Sequence, residues 1–326
     1  MRFTRFAHAA IAETASYLPE RVVTTHALDP ARAAELIRLT GVEARHVAAD
    51  DQATSDLCIA AARSLLTPES VPTIDRVLVA TVTPDHPSPA TAPLVQHALG
   101  LAHVPAMDLS AACAGYVYAL DLAARAVATG DRAVLVTAGE CRFRTLTDAA
   151  PGVRVLFGDG ATAARVVASG PLRIVATMLG ADGSGHDQVR VAAGGSRLAA
   201  SPATLAEGLH ALRMADGPHV FYRAVEGFIA LATTFLAALS LTPADIDLVV
   251  PHQANLRILE RVARITRIPL ERFVIVVDRY GNVGGASAGI ALDHAWRAGR
   301  IQAGQRVLLL TAGAGYTAGA ALLEAT

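Results

Sequence analysis

The chain repeats itself at long range, and this limits its architecture more than any other feature. Gly130-Asp-Arg-Ala-Val-Leu-Val-Thr-Ala-Gly139 is matched 174 positions later by Gly304-Gln-Arg-Val-Leu-Leu-Leu-Thr-Ala-Gly313. Ile74-Asp75 and Ile246-Asp247, each leading a β-rich run, lie 172 apart, as do Ala119-Leu-Asp121 and Ala291-Leu-Asp293, each late in a helical pattern. Shared order and near-constant offset indicate a tandem duplication, with halves of residues 1–170 and 171–326. Apolar β-rich runs are predicted at 76–82, 104–109, 132–138, 161–168, 173–178, 247–251, 273–277, 306–311 and 317–323. Helical patterns fall at 53–66, 90–99, 114–128, 222–239, 254–266 and 286–298. Strands apolar on both faces require sheets covered on both sides. The fold class is therefore α/β, two duplicated halves with helices packed between their sheets. Pro-, Gly- or Ser-rich linkers are absent between the halves, so one body is expected.

Composition excludes several function classes. Of 326 residues, 52% are hydrophobic and 17% charged, which suits a large core and not a disordered chain. A formal net charge of -1 argues against nucleic-acid binding by bulk charge. All 28 basic residues are Arg, so chemistry through a lysine Schiff base or a P-loop lysine is excluded. Three widely spaced cysteines, Cys58, Cys113 and Cys141, make neither a disulfide framework nor a thiolate zinc site, and point to a reducing cytoplasm. The eleven histidines show no metal spacing. Residues 227–244 run 18 positions without a charge, but Thr and Pro residues interrupt the run, and a buried helix is expected in place of a membrane span. Glu13 breaks the apolar stretch behind Arg2 and Arg5, so no signal peptide is read.

Three polar residues stand at strand-to-helix junctions. Cys113 lies between a run ending near Leu109 and a helical pattern starting near Ala114, where unpaired N–H groups and the helix dipole favour a thiolate. A free cysteine is as readily a small core residue, the reading given to Cys58 and Cys141. His252 follows a strand in Val249-Val-Pro-His-Gln-Ala-Asn-Leu-Arg257, where it could hydrogen-bond an acyl oxygen or cap the next helix. Asn282, in Tyr280-Gly-Asn-Val-Gly-Gly285, suits a turn or cap. The 172-residue offset makes Gly285 the counterpart of Cys113, so pseudo-twofold halves would bring the two turns face to face.

Taken in order, the segments Ala15 to Val23, Thr40 to His46, Ala111 to Gly115, Phe157 to Ala161, His252 to Asn255 and Tyr280 to Asn282 resemble the β-ketoacyl-acyl carrier protein synthase III family of the thiolase superfamily, from about Ile11 to the C-terminus. The resemblance implies a five-layered αβαβα thiolase fold and a homodimer. It makes Cys113 the acyl-accepting nucleophile, with its own N–H and that of Ala314 as oxyanion hole. It makes His252 and Asn282 the donors to a malonyl thioester's oxyanion during decarboxylation, and places Asn255 on the pantetheine arm. Implied partners are acyl carrier protein or acyl-CoA thioesters, with no cofactor, nucleic acid or membrane. Rival readings are an acyltransferase acting on a hydroxyl or amine, and a non-catalytic partner subunit of the same fold.

Departures from the family pattern are informative. The adenine clamp of a Trp and two Arg aligns with Glu35, Leu39 and Pro151, none of which can stack as those residues do. Ala314 stands within Gly313-Ala-Gly315, where a positive φ would strain it. Arg257, Arg261 and Arg264 share a helix face, with Arg267 beyond, and suit phosphopantetheine and an acidic carrier, or a solvated surface. Ser88 aligns with an aromatic residue that in relatives limits the partner's acyl pocket, so an open pocket is expected.

Overall fold

The computed structural model describes residues 1–146 and 149–326. Its principal elements are β1 (Ala10–Tyr17), α1 (Thr54–Arg63), β2 (Ile74–Ala80), α2 (Ala92–Ala98), β3 (Ala106–Leu109), α3 (Gly115–Ala128), β4 (Ala133–Glu140) and β5 (Gly160–Val167). After these come β6 (Leu172–Ala181), α4 (Gly217–Leu239), β7 (Leu248–Pro251), α5 (Leu256–Thr266), α6 (Ser287–Arg297), β8 (Arg306–Gly313) and β9 (Thr317–Ala325). The strands run β7-β8-β9-β6-β1-β5-β4-β2-β3 across the sheet. From the β3 edge inward, β3, β2 and β4 are parallel, and β5 and β1 follow antiparallel. From the other edge, Phe273 bridges β7 in parallel, β8 is parallel to β7, and β9 and β6 follow antiparallel. The same order thus occurs twice. Ala10 and Ile11 pair with Arg173 and Leu172 where the two runs meet.

The layers follow from which strand faces are apolar. Every residue of β4 is buried, as a strand covered on both sides requires. One core joins α3 and α6 to the inner faces of both strand runs, through Leu120, Val136, Leu292 and Leu309. A second packs α4 and α5 outside β8 and β9, and a third packs α1 and α2 outside β2 and β4. This gives five layers, α-β-α-β-α, as the resemblance implied.

Duplication is visible in the polar groups of the central layer. Asp121 on α3 is buried, takes an ion pair from Arg125 at 2.7 Å and accepts from Thr177 of β6. Asp293 on α6 is buried, takes one from Arg297 at 3.0 Å and accepts from Thr14 and Ser16 of β1. Each carboxylate ties its helix to the strand of the other half, and its paired hydrogen bonds compensate its burial.

Two sequence expectations are corrected. The run 273–277 is not a strand. Phe273 makes a single bridge, and the N–H groups of Val276 and Val277 bond the Gln253 side chain, which turns the chain into the short helix Val277–Tyr280. The helix over 222–239, expected to be buried, is α4; it ends at Leu239, where Ser240 takes a left-handed φ of 59°, and it is buried on one face only. By length and composition α4 could cross a membrane. Its apolar side chains are instead divided: Val225, Phe228, Ala232, Phe235 and Leu239 pack on the sheet at helical spacing, and the opposite face is open.

Candidate active site

Cys113 sits in a short 3-10 turn, Ala112–Ala114, that leads directly into α3. Ala112 before it holds a left-handed φ of 47°, uncommon for a residue with a β-carbon, and this turns the cysteine out of the strand direction. The end of β8 passes so close that a β-carbon on Gly313 would lie 2.6 Å from the Cys113 nitrogen. Only glycine permits that approach, and it directs the N–H of Ala314 at the sulfur, beside the N–H of Cys113 itself. The positive φ near the C-terminus falls on Gly315, not on Ala314, so the expected strain does not arise. The resting thiol also differs from expectation. Burial pushes it up to about 12, Glu140 adds to the rise, and Arg142 and the two N–H groups oppose it. Loss of water outweighs the helix end in the unliganded chain.

His252 follows β7 and is 1% exposed. Its backbone N–H bonds Leu310 at 2.8 Å, and ring Nδ1 has no partner among the described residues. Burial lowers its pKa to about 3, so the imidazole is neutral and donates through one nitrogen. Gln253 beside it is fully enclosed. Its amide NH2 donates to Pro251 and Val274, and its oxygen accepts from Val276 and Val277, which locks the His252 loop to the segment leading to Asn282.

Asn282 is held by its backbone, with its N–H on the Leu156 carbonyl at 2.7 Å and its carbonyl accepting from Gly158 at 3.1 Å. Its side-chain oxygen accepts from the Gly284 N–H at 2.9 Å, which leaves the NH2 group for the cavity it lines. Two glycines make this pairing possible. A β-carbon on Gly158 would stand 2.4 Å from the Tyr280 carbonyl, and Gly281 has a φ of 66°. Buried Arg45 supports the same corner through the carbonyls of Val23 and Val155 and the Thr25 hydroxyl, and burial lowers it to about 10.

Cys113, His252, Asn282, Asn255 and Ala314 all line one cavity of about 690 Å³. Its remaining wall is mostly apolar, with Met214, Phe221 and Leu231 from α4 and the segment before it. Asn255 also caps α5, accepting from the Arg257 N–H at 2.7 Å. Arg257 is engaged with Glu260 and the Arg38 carbonyl, Arg261 lies over Tyr222, and Arg264 is exposed. Glu35, Leu39, Pro151 and Ser88 are all exposed and outside this cavity. Cys58 and Cys141 are buried in the α1-side core, as expected. Sequence reasoning missed Gln253, Arg45 and Glu140, since nothing local in the chain marks a polar side chain for burial. Phe157 to Ala161 and Thr40 to His46 entered only as resemblance, and they turn out to frame Asn282.

A duplicated five-layered fold with a cysteine at a strand-to-helix turn defines a protein of the thiolase superfamily. The family description 3-oxoacyl-[acyl-carrier-protein] synthase III matches residues 107–183, and its C-terminal counterpart matches 236–325. A β-ketoacyl-[acyl-carrier-protein] synthase III of Symbiobacterium thermophilum is 42% identical over 94% of this chain and 95% of its own. The 3-oxoacyl-(acyl carrier protein) synthase III structure from Pseudomonas aeruginosa PAO1 is 34% identical with a TM-score of 0.88, over 97% of this chain and 98% of that one. The priming β-ketosynthase of the R1128 polyketide pathway is 31% identical with a TM-score of 0.86, over 100% and 98%. The chain belongs to the β-ketoacyl-acyl carrier protein synthase III family, and it is a ketosynthase III-like transferase of fatty-acid or polyketide biosynthesis.

Proposed function

We propose that Cys113 takes an acyl group from a thioester and that a malonyl-type thioester then condenses with it. The convergence of Cys113, His252 and Asn282 on one apolar cavity carries this reading. In the first step the sulfur bonds the acyl carbon, the donor's sulfur leaves as thiolate, and the Cys113 proton passes to it to give the free thiol. The N–H groups of Cys113 and Ala314 hold the oxyanion. In the second step the malonyl carboxylate leaves as carbon dioxide. The enolate oxygen is held by the His252 N–H and the Asn282 NH2, both neutral, so it is stabilised without being protonated. The enolate carbon bonds the acyl carbon and displaces Cys113 as thiolate, which regains a proton from solvent. An Asn282 NH2 group facing the cavity favours condensation over transfer to a hydroxyl or amine.

Acyl carrier protein is the proposed donor and acceptor partner. Exposed Leu39, Ile265, Tyr222 and Arg264 are presented by helices that flank or line the mouth, and no residue at 35, 39 or 151 clamps an adenine. We propose a cytoplasmic homodimer joined along β3, the free edge of the sheet, where Met107 and Leu94 are exposed. The loop bearing Ser88 is tied to that edge, since the N–H groups of Thr91 and Ala92 bond the Asp108 carboxylate at 2.8 and 2.7 Å. Mass spectrometry after incubation with acyl thioesters tests the nucleophile. Labelling is expected to be lost in Cys113→Ala and kept in Cys58→Ala and Cys141→Ala. Retained labelling of Cys113→Ala would refute the assignment.

A further inference from the structure

Glu140 ends β4, is 1% exposed, and has no task in the mechanism above. Its carboxyl group spans two loops. One oxygen accepts from the Thr83 hydroxyl at 2.7 Å, the other from the Gly285 N–H at 3.3 Å, and both lie near the Val82 N–H. A β-carbon on Gly284 would stand 2.8 Å from the Glu140 side chain. One on Gly285 would meet the carboxyl oxygen at 3.5 Å and the Ala112 carbonyl at 3.1 Å. The carboxyl is therefore packed where the turn bearing Asn282 meets the turn bearing Cys113.

The duplication adds an independent observation. The offset of 174 that relates β4 to β8 sets Glu140 opposite Ala314, and the offset of 172 sets Gly285 opposite Cys113. At the end of β8 an N–H is directed at a thiol, whereas at the end of β4 a carboxyl accepts an N–H. Beside the Gly285 turn of the second half, the place of an acyl site is thus filled by Glu140 of the first half.

We propose that Glu140 is a positioning residue that fixes the Asn282 turn against the Cys113 turn, and that it sets a negative charge beside both turns. The inference rests on the assignment of Cys113 and Asn282 given above. Arg142, after β4, faces the carboxyl as a cation. Cys113, Cys58 on α1 and neighbouring Cys141 feel its charge as thiols. The loops at Val82–Thr83 and Gly284–Gly285 offer it only N–H and hydroxyl groups. Burial raises the carboxyl itself, so loss of either proton makes loss of the other harder.

The test pairs two readouts on the full-length protein. The first is alkylation of Cys113 by iodoacetamide across a pH series, which needs no condensation. Its midpoint is expected to move to lower pH in Glu140→Gln and Glu140→Ala. The second is carbon dioxide release from a malonyl thioester. It is expected to fall about a hundredfold in Glu140→Ala, as for a displaced reacting group, and to recover largely in Glu140→Gln, with Cys113 acylation kept. Where Glu140→Ala does not fold, Thr83→Val removes one anchor of the carboxyl and is expected to lower carbon dioxide release. An unmoved alkylation midpoint in Glu140→Gln overturns the charge role. Carbon dioxide release unchanged in Glu140→Ala or Thr83→Val overturns the positioning role. A wild-type protein that releases no carbon dioxide at all counts against the condensation reading, while the alkylation series still decides the charge role.

Discussion

At the scale of single residues, Cys113 and His252 stand beyond strands and Asn282 just beyond the short helix Val277–Tyr280, and backbone bonds fix His252 and Asn282 before any substrate arrives. Asn282 is the cleanest to test, because its oxygen is already engaged and only its NH2 group is offered to the cavity. Asn282→Ala is expected to raise the barrier to decarboxylation by about 3 kcal/mol, the usual cost of one oxyanion donor. Cys113 acylation, followed by mass spectrometry, is expected to stay within a few-fold of wild type. Equal loss of both would assign Asn282 a structural role. His252 gives a pH prediction. Its ordinary pKa of 6.5 falls to about 3 in the folded chain, so below 6.5 the unfolded chain binds a proton that the folded chain refuses. Stability from this source is complete above 6.5 and is lost as pH falls from there towards 3. His252→Gln should therefore show a shallower fall in Tm on acidification, and a parallel slope in both proteins would contradict this. The cysteine taught the opposite lesson. A helix start legible in the sequence favoured the thiolate, but the apolar cavity around Cys113, invisible in one dimension, dominates its resting state.

At the scale of elements, α5 is the most informative helix. Asn255 caps it at the cavity, and its polar face carries Arg257, Arg261 and Arg264 outside the cavity lining. Spacing revealed that stripe, but not that Arg257 is paired with Glu260 or that Arg261 lies 5.7 Å over the Tyr222 ring. Reversing Arg261 and Arg264 to Glu is expected to raise KM for acyl carrier protein about tenfold or more, with kcat for small thioesters nearly unchanged. Steady-state kinetics with both donor types decides this, and equal effects on the two would remove α5 from the docking surface. Strands and helices with strong periodicity were legible within a few residues, as α3 and β8 show. The run 273–277 was not, because its backbone bonds go to the Gln253 side chain, a partner that strand propensity cannot anticipate. β1 was missed for the opposite reason. Its Thr and Ser residues dilute the apolar pattern, since they face inward to bond Asp293 and not outward to water.

At the scale of the whole molecule, the two halves build one site from turns 139 and 169 residues apart, and the free edge at β3 brings the Ser88 loop to the face proposed to meet a second copy. Ser88 does not touch the cavity of its own chain. If it shapes the partner's pocket, Ser88→Phe should shift preference towards short acyl groups while acetyl transfer continues. A wild type strictly specific for acetyl, unchanged by Ser88→Phe, would remove Ser88 from the acyl site. The sequence by itself determined the duplication and the α/β class, because apolar periodicity is a property of the chain alone, while Cys113, His252 and Asn282 were singled out together only by resemblance to a known family. Only the tertiary structure decided which of the remaining polar residues matter. Arg45, Gln253 and Glu140 become supports of the site because folding buries them beside unpaired backbone groups from distant segments, and a buried polar group must find such partners.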